Sequence, residues 1–273
     1  MVKSGKSAQR RPLAVVTGAS SGIGYELARQ FADKGYDLVV CAEDTGIHSA
    51  ASRFEADGAH VLPLQLDLRR YENVERLFEA VQQHEGTLEA AAVNAGVGVL
   101  GDFARETDLR EELAMIELNV VSTVHLAKLV SMDMVQRGRG KILITASLEG
   151  TWPAPLQAVY GATKAFGASF AASLRHELKD TGITVTTLLP GPTDTDFFDR
   201  EGGVDTKAAE LAEKNDPVDV ARQGFEALMA GKDRVYAVRS LGDKLQGIAA
   251  RLMPESITAA LQERLVEHGS RGR

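Results

Sequence analysis

Tyr160 and Lys164 stand four positions apart, the pair in this chain best suited to moving a proton. On a helix that spacing puts both side chains on one face. A phenol has an ordinary pKa of about 10, too high for a good base at neutral pH. An ammonium beside it stabilises the phenolate, so Lys164 is expected to bring Tyr160 toward the useful acid–base range. Ser147 follows the apolar run Ile142-Leu143-Ile144 and so stands at the carboxyl end of a strand. There its hydroxyl can donate to an oxygen that gains negative charge.

A second constellation lies near the start. The run Thr17-Gly18-Ala19-Ser20-Ser21-Gly22-Ile23-Gly24 joins an apolar strand to an amphipathic helix. Glycines let a backbone turn tightly and approach a pyrophosphate, and the N–H groups opening the helix favour negative charge. Gly18, Ser20, Ser21, Gly22, Ile23 and Gly24 are therefore the expected phosphate cradle of a dinucleotide. The next strand ends Ala42-Glu43-Asp44. An acidic residue about 20 positions beyond such glycines hydrogen-bonds a ribose 2′-OH and repels a 2′-phosphate. Glu43 thus points to NAD, with NADP as the alternative; a merely solvated acidic loop is the bland reading of Glu43 and Asp44.

The elements that must position these groups follow from apolar periodicity. Short runs at 13–17, 37–41, 60–64, 88–93, 141–146, 183–189 and 234–238 are apolar on both faces, as in strands covered on two sides. Longer amphipathic stretches, among them 23–34, 71–84 and 159–180, lie between them. Regular β-α-β alternation predicts an α/β fold: a doubly wound parallel sheet of about seven strands, helices on both faces, three layers in all. One domain over 12–240 is expected, preceded by a flexible basic leader (1–11) and followed by a helical extension (241–273). Residues 192–216, charged around Phe197 and Phe198, follow a strand directly and are placed to be a lid over a substrate.

Composition excludes other classes. The net charge of -7 argues against a nucleic-acid binder, which needs concentrated Lys and Arg. Cys41 is the only cysteine, so no internal disulfide forms, and its apolar neighbours mark it as a core residue. The six histidines show no ligand spacing, so no metal is expected. With no secretory leader and no later segment expected to reach the length of a membrane-spanning helix, the protein is read as soluble and cytoplasmic.

The motifs taken together resemble the short-chain dehydrogenase/reductase family over about residues 12–240. Thr17-Gly18-x-x-x-Gly22-x-Gly24 is similar to its Rossmann-type nucleotide turn, and Tyr160-x-x-x-Lys164 with Ser147 to its catalytic motif. Asp67, followed by Leu68, resembles the family's adenine-binding position. Asn94-Ala95-Gly96 resembles its Asn-Ala-Gly turn, Asn119 its mid-helix asparagine, and Pro190-Gly191-x-Thr193-x-Thr195 the segment at the nicotinamide end. The resemblance implies an NAD(P)-dependent oxidoreductase interconverting a secondary alcohol and a ketone. Tyr160 would be its acid and base, Lys164 would reach the nicotinamide ribose, and Asn119 would hold a water linking Lys164 to solvent. It also implies a homotetramer or homodimer joined through the helices bearing Asn119 and Tyr160. The rival readings are another reaction on the same fold, such as epimerisation or dehydration, and a dinucleotide sensor or scaffold without turnover. Intact side chains at 119, 147, 160 and 164 weigh against both. Trp152, Phe197 and Phe198 point to a partly apolar substrate.

Overall fold

The computed structural model describes residues 11–56, 58–194 and 214–238. The expected leader up to residue 10, Thr195, Phe197 and Phe198 of the expected lid, and the extension 241–273 lie outside the described residues.

Apolar runs become strands, the central ones shielded from water. The strands are β1 (Pro12–Thr17), β2 (Asp37–Ala42), β3 (Val61–Gln65), β4 (Thr87–Val93), β5 (Gly140–Thr145), β6 (Ile183–Pro190) and β7 (Arg234–Ala237). All pair in parallel in the order β3-β2-β1-β4-β5-β6-β7. The sheet therefore changes winding direction between β1 and β4, and their carboxyl ends open a crevice for ligands. Between the strands run α1 (Gly22–Asp33), α2 (Gly46–Ala56), α3 (Tyr71–Gln83), α4 (Leu109–Ile116), α5 (Thr123–Arg137), α6 (Ala158–Glu177) and α7 (Pro217–Met229).

Side-chain alternation along the strands divides the core in two. Ala14, Val16, Leu38 and Val40 pack under α1, α2 and α7, where Phe31 meets Phe225 edge-on at 5.1 Å. Leu13, Val15, Val39 and Cys41 face the other way, against α3, α5 and α6. Cys41 is fully buried and its thiol is pushed up to about 12, chiefly by that burial, which makes it an inert core residue.

Two expectations need correction. The run 60–64 is not covered on both faces: β3 is the sheet's edge, Leu62 is 39% exposed, and Pro63 is tolerated because an edge strand need not donate outward. The expectation that no segment has membrane-spanning length also fails. Leu109–Arg137 forms one helical run of 29 residues whose most apolar 18-residue stretch has a mean hydropathy of 1.5, long and apolar enough by length and composition. Its buried side, including Met115, Leu126, Val130 and Met134, belongs to the protein core. Its middle, Glu117–Ser122, is π-helical, and that widened turn carries Asn119 inward.

Candidate active site

The glycine turn is built by exclusion. A Cβ on Gly24 would lie 2.0 Å from the Gly18 carbonyl oxygen, so α1 can begin against the turn only without a side chain there. Gly18 has φ +67° and Gly22 φ +58°, the left-handed region that glycine occupies at least cost. Ser21 stands at the N-cap of α1 and its side chain makes no capping bond to the helix N–H groups, and the helix has no acidic residue in its first turn. An unneutralised helix start beside Ile23 and Gly24 is what a dinucleotide's phosphates require.

Asn94 locks this turn to the sheet. Its Nδ2 donates to the Thr17 carbonyl at 3.2 Å, its N–H to Thr17 Oγ1 at 3.0 Å, and its Oδ1 accepts from Thr145 Oγ1 at 3.0 Å. One side chain thus spans β1, β4 and β5. Gly96, two residues on, faces Asn119 and Lys164: a Cβ there would meet Asn119 Oδ1 at 3.0 Å and Lys164 Nζ at 3.1 Å.

At the adenosine end the two acidic residues divide. Glu43 pairs with Arg69 at 3.1 Å. Asp44, one position later, turns to the glycine loop, accepting from Ser20 Oγ at 2.7 Å and from the Gly46 N–H at 2.9 Å. Asp67 accepts from the Arg69 N–H and Nε. Burial alone would raise the Asp67 carboxyl, but these contacts outweigh it and hold it below the usual range. Leu68 is buried behind it.

The second cluster forms where β5 ends against α6. Ser147, Tyr160 and Lys164 are all buried, and the Tyr160 hydroxyl hydrogen-bonds Ser147. Lys164 Nζ lies 5.7 Å from the Tyr160 ring centre and reaches the Thr145 carbonyl at 3.4 Å. Burial lowers the ammonium from 10.5 to about 8, against the attraction of Glu149. The expectation that Lys164 draws the phenol down is reversed. Burial, then the Glu149 carboxylate, hold Tyr160 protonated well above its ordinary range, and only the Ser147 hydrogen bond acts the other way.

Asn119 is held from several sides. Its Oδ1 accepts from the Val97 N–H at 3.0 Å, while Nδ2 donates to the Val97 carbonyl at 2.9 Å and to Thr163 Oγ1 at 3.0 Å. Both of its donors fasten the strand-end turn onto α6, so its side chain acts here as a clamp.

Pro190 and Gly191 end β6 beside this cluster. Thr193 Oγ1 donates to the Gly191 carbonyl at 2.8 Å. Asn215 pins the returning chain, its N–H donating to the Pro192 carbonyl at 2.7 Å, and a Cβ on Gly191 would meet its Nδ2 at 3.0 Å.

A nucleotide cradle at the switch point and a Ser-Tyr-Lys cluster facing it across the β4 and β5 ends call for comparison with known enzymes. Residues 12–203 match the model of the short chain dehydrogenase family. The chain belongs to that family.

This short-chain dehydrogenase is 36% identical over 231 residues to 1-deoxy-11-beta-hydroxypentalenate dehydrogenase of Streptomyces exfoliatus, a match covering 82% of this chain and 81% of that protein. Its fold superposes on a short-chain dehydrogenase from Sphingobium yanoikuyae in complex with NADPH with a TM-score of 0.77, at 30% identity, over 89% of this chain and 95% of that one. A bulky-bulky ketone specific alcohol dehydrogenase from Comamonas testosteroni aligns with a TM-score of 0.75 at 26% identity, over 88% and 92%. The protein is thus an NAD(P)-dependent oxidoreductase of the dehydrogenase and reductase kind. In this dehydrogenase the structure adds residues that the motifs did not single out. Thr163 holds Asn119, Asp44 meets the glycine loop, Arg69 bridges Glu43 and Asp67, and Glu149 stands beside Ser147 and Tyr160. A signal for Asp44 existed in its adjacency to Glu43. Nothing in local spacing marked Thr163 or Arg69.

Proposed function

We propose that this dehydrogenase reduces a ketone to a secondary alcohol, and runs the reverse reaction, with Ser147, Tyr160 and Lys164 as its catalytic groups and Asn119 as their support. The observation that carries the reading is the buried hydrogen bond between Tyr160 and Ser147, with Lys164 one helical turn further along α6. When bound, the nicotinamide supplies or takes the hydride. The ketone oxygen sits between the Ser147 and Tyr160 hydroxyls. Ser147 donates to it as charge develops, and Tyr160 gives up its proton to complete the alcohol. A phenol held protonated by its surroundings is the form that reduction requires. Lys164, charged below about pH 8, compensates the phenolate left behind. Tyr160→Phe should retain cofactor binding and lose turnover by about 100-fold or more. Turnover near that of the natural protein would remove Tyr160 from the proton-transfer step.

The residues around the glycine turn fit a dinucleotide: Gly18, Ser20, Ser21, Gly22, Ile23 and Gly24 for the pyrophosphate, Asp67 and Leu68 for the adenine. Asn94, Gly96, Pro190, Gly191, Thr193 and Thr195 would serve the nicotinamide half. NAD is the preferred form in this reading, with Asp44 joining Glu43 as the acidic group that meets the ribose and disfavours a 2′-phosphate. Arg69, the cation that reaches both acidic groups at that end, is already paired with Glu43 and Asp67. Parallel titrations with NADH and NADPH test this: tighter NADPH binding would reverse the assignment. The reading also takes residues 192–216 as a substrate lid and the chain as a homo-oligomer. Leu113, Val121, Val124 and Met132 on the 109–137 helical run, with Phe166 on α6, leave an exposed apolar face that supports assembly through these helices. Light scattering that returned a monomer mass would remove it.

A further inference from the structure

Among the described residues Glu149 is the one acidic side chain that touches the catalytic cluster, and the mechanism above gives it no task. It lies on the short 3-10 turn Leu148–Thr151 that follows Ser147. The turn rests directly on the catalytic helix: a Cβ on Gly150 would lie 2.5 Å from the Lys164 carbonyl carbon and 2.6 Å from the Ala165 nitrogen. Gly150 therefore seats its neighbour Glu149 against the site. The Glu149 N–H donates to Ser147 Oγ at 3.2 Å, and Ser147 donates back to Glu149 Oε2 at 3.4 Å. Burial raises the pKa of this carboxyl, while the Ser147 hydrogen bond and the Lys164 ammonium favour its charge; Tyr160, on whose phenol that charge acts, is the other titratable group facing it. Glu149 remains partly accessible, so a ligand can reach it.

A serine hydroxyl has a single hydrogen. In this structure Glu149 Oε2 and the Tyr160 hydroxyl both lie within its reach, whereas reduction needs it on the ketone oxygen. When Ser147 turns to the substrate, Oε2 loses its donor in a desolvated place, a loss worth more than an ordinary hydrogen bond. A substrate that brings a replacement donor recovers it. Oε2 and the ketone oxygen are both neighbours of one Ser147 oxygen, so the replacement must sit on the carbon next to the reacting one.

We infer that Glu149 is a specificity-determining residue that accepts a hydrogen bond from a hydroxyl on the carbon adjacent to the carbonyl, so that the enzyme selects α-hydroxy ketones and the corresponding vicinal diols over plain ketones and over α-keto acids. The inference rests on the ketone reductase reading above. A carboxylate at that place of the substrate meets a carboxylate of the protein, which is the reason for the second exclusion.

Three ketones of one shape test it in the full-length protein with saturating nicotinamide: 2-hydroxyacetophenone, propiophenone and benzoylformate. The hydroxy ketone should exceed the ethyl ketone in kcat/KM by about tenfold or more, the worth of one hydrogen bond to a charged group. Benzoylformate should be the poorest of the three. Glu149→Ala should bring the hydroxy-to-ethyl ratio near one. Glu149→Gln, which keeps an acceptor and removes the charge, should keep part of that ratio and raise benzoylformate relative to the others. A ratio near one in the natural protein, a ratio that survives Glu149→Ala, or a preference for benzoylformate would overturn the inference while leaving the reductase reading in place. No reduction of any of the three ketones with NADH or NADPH would remove the reductase reading and this inference with it. Should the alanine variant not fold, the substrate ratios of the natural protein and of Glu149→Gln decide.

Discussion

Replacing the buried lysine should make the protein more stable while abolishing its turnover. Lys164 is 6% exposed, and burial draws its ammonium from 10.5 to about 8. At about 1.4 kcal/mol for each tenfold change in proton affinity, holding that charge inside costs the folded state about 3 kcal/mol at neutral pH. The folded pKa lies below the unfolded one, so the folded protein binds fewer protons between pH 8 and 10.5. The penalty is therefore complete below about pH 8, shrinks as pH rises, and is gone above 10.5. Lys164→Met keeps the length of the side chain without the charge. Glu149 loses its counter-ion in that variant, which returns part of the gain, so a net stabilisation of about 2 kcal/mol is expected at pH 7. For a chain of this size that raises Tm by roughly 4–8 °C. Urea unfolding followed by circular dichroism at pH 7 and at about pH 9.5 measures it, and the advantage should shrink by about 2 kcal/mol between the two. An unchanged or lower stability at pH 7, or a gap independent of pH, would refute the reasoning.

Three further outcomes follow from the same geometry. The kcat/KM for reduction should fall as pH rises through about 8, where Lys164 loses its proton, and in Glu149→Gln the fall should begin at lower pH because the carboxylate sustains the ammonium; coincident pH profiles of the two proteins would show that Lys164 does not set the limb. Gly24→Ala places a methyl 2.0 Å from the Gly18 carbonyl oxygen, so the turn must distort; loss of nicotinamide binding by fluorescence and a stability decrease of about 1–3 kcal/mol are expected, and retained affinity would show that the cradle tolerates the shift. Asn119→Ala strands the Val97 N–H and carbonyl, and should cost about 2–4 kcal/mol in urea unfolding; a loss below about 0.5 kcal/mol would contradict the clamp.

Much of the architecture was legible in the residues. Strands such as 13–17 and 37–41 are apolar on both faces because helices cover both, and the glycines at 18, 22 and 24 are required where a strand turns at once into a helix. These are properties of near neighbours: steric freedom, apolar spacing, the handing-over of hydrogen bonds at a helix start. The pairing of Tyr160 with Lys164 belongs with them, since four residues on a helix make one face wherever that helix goes. Tertiary structure decided what depends on groups brought from elsewhere. Glu43 was the acidic residue singled out, yet it is Asp44 that meets Ser20, because Arg69, 26 positions beyond Glu43, draws Glu43 away. The edge position of β3 depends on which strand it lacks as a neighbour. Asn119 spends its amide on Val97 and Thr163, partners set by a π-helical turn. The sign of the Tyr160 shift reversed for the same kind of reason. Spacing along α6 supplies the lysine, whereas desolvation and the charge of Glu149 come from packing the end of β5 onto that helix, and charges in a buried site act through the space around them with little regard for the chain between.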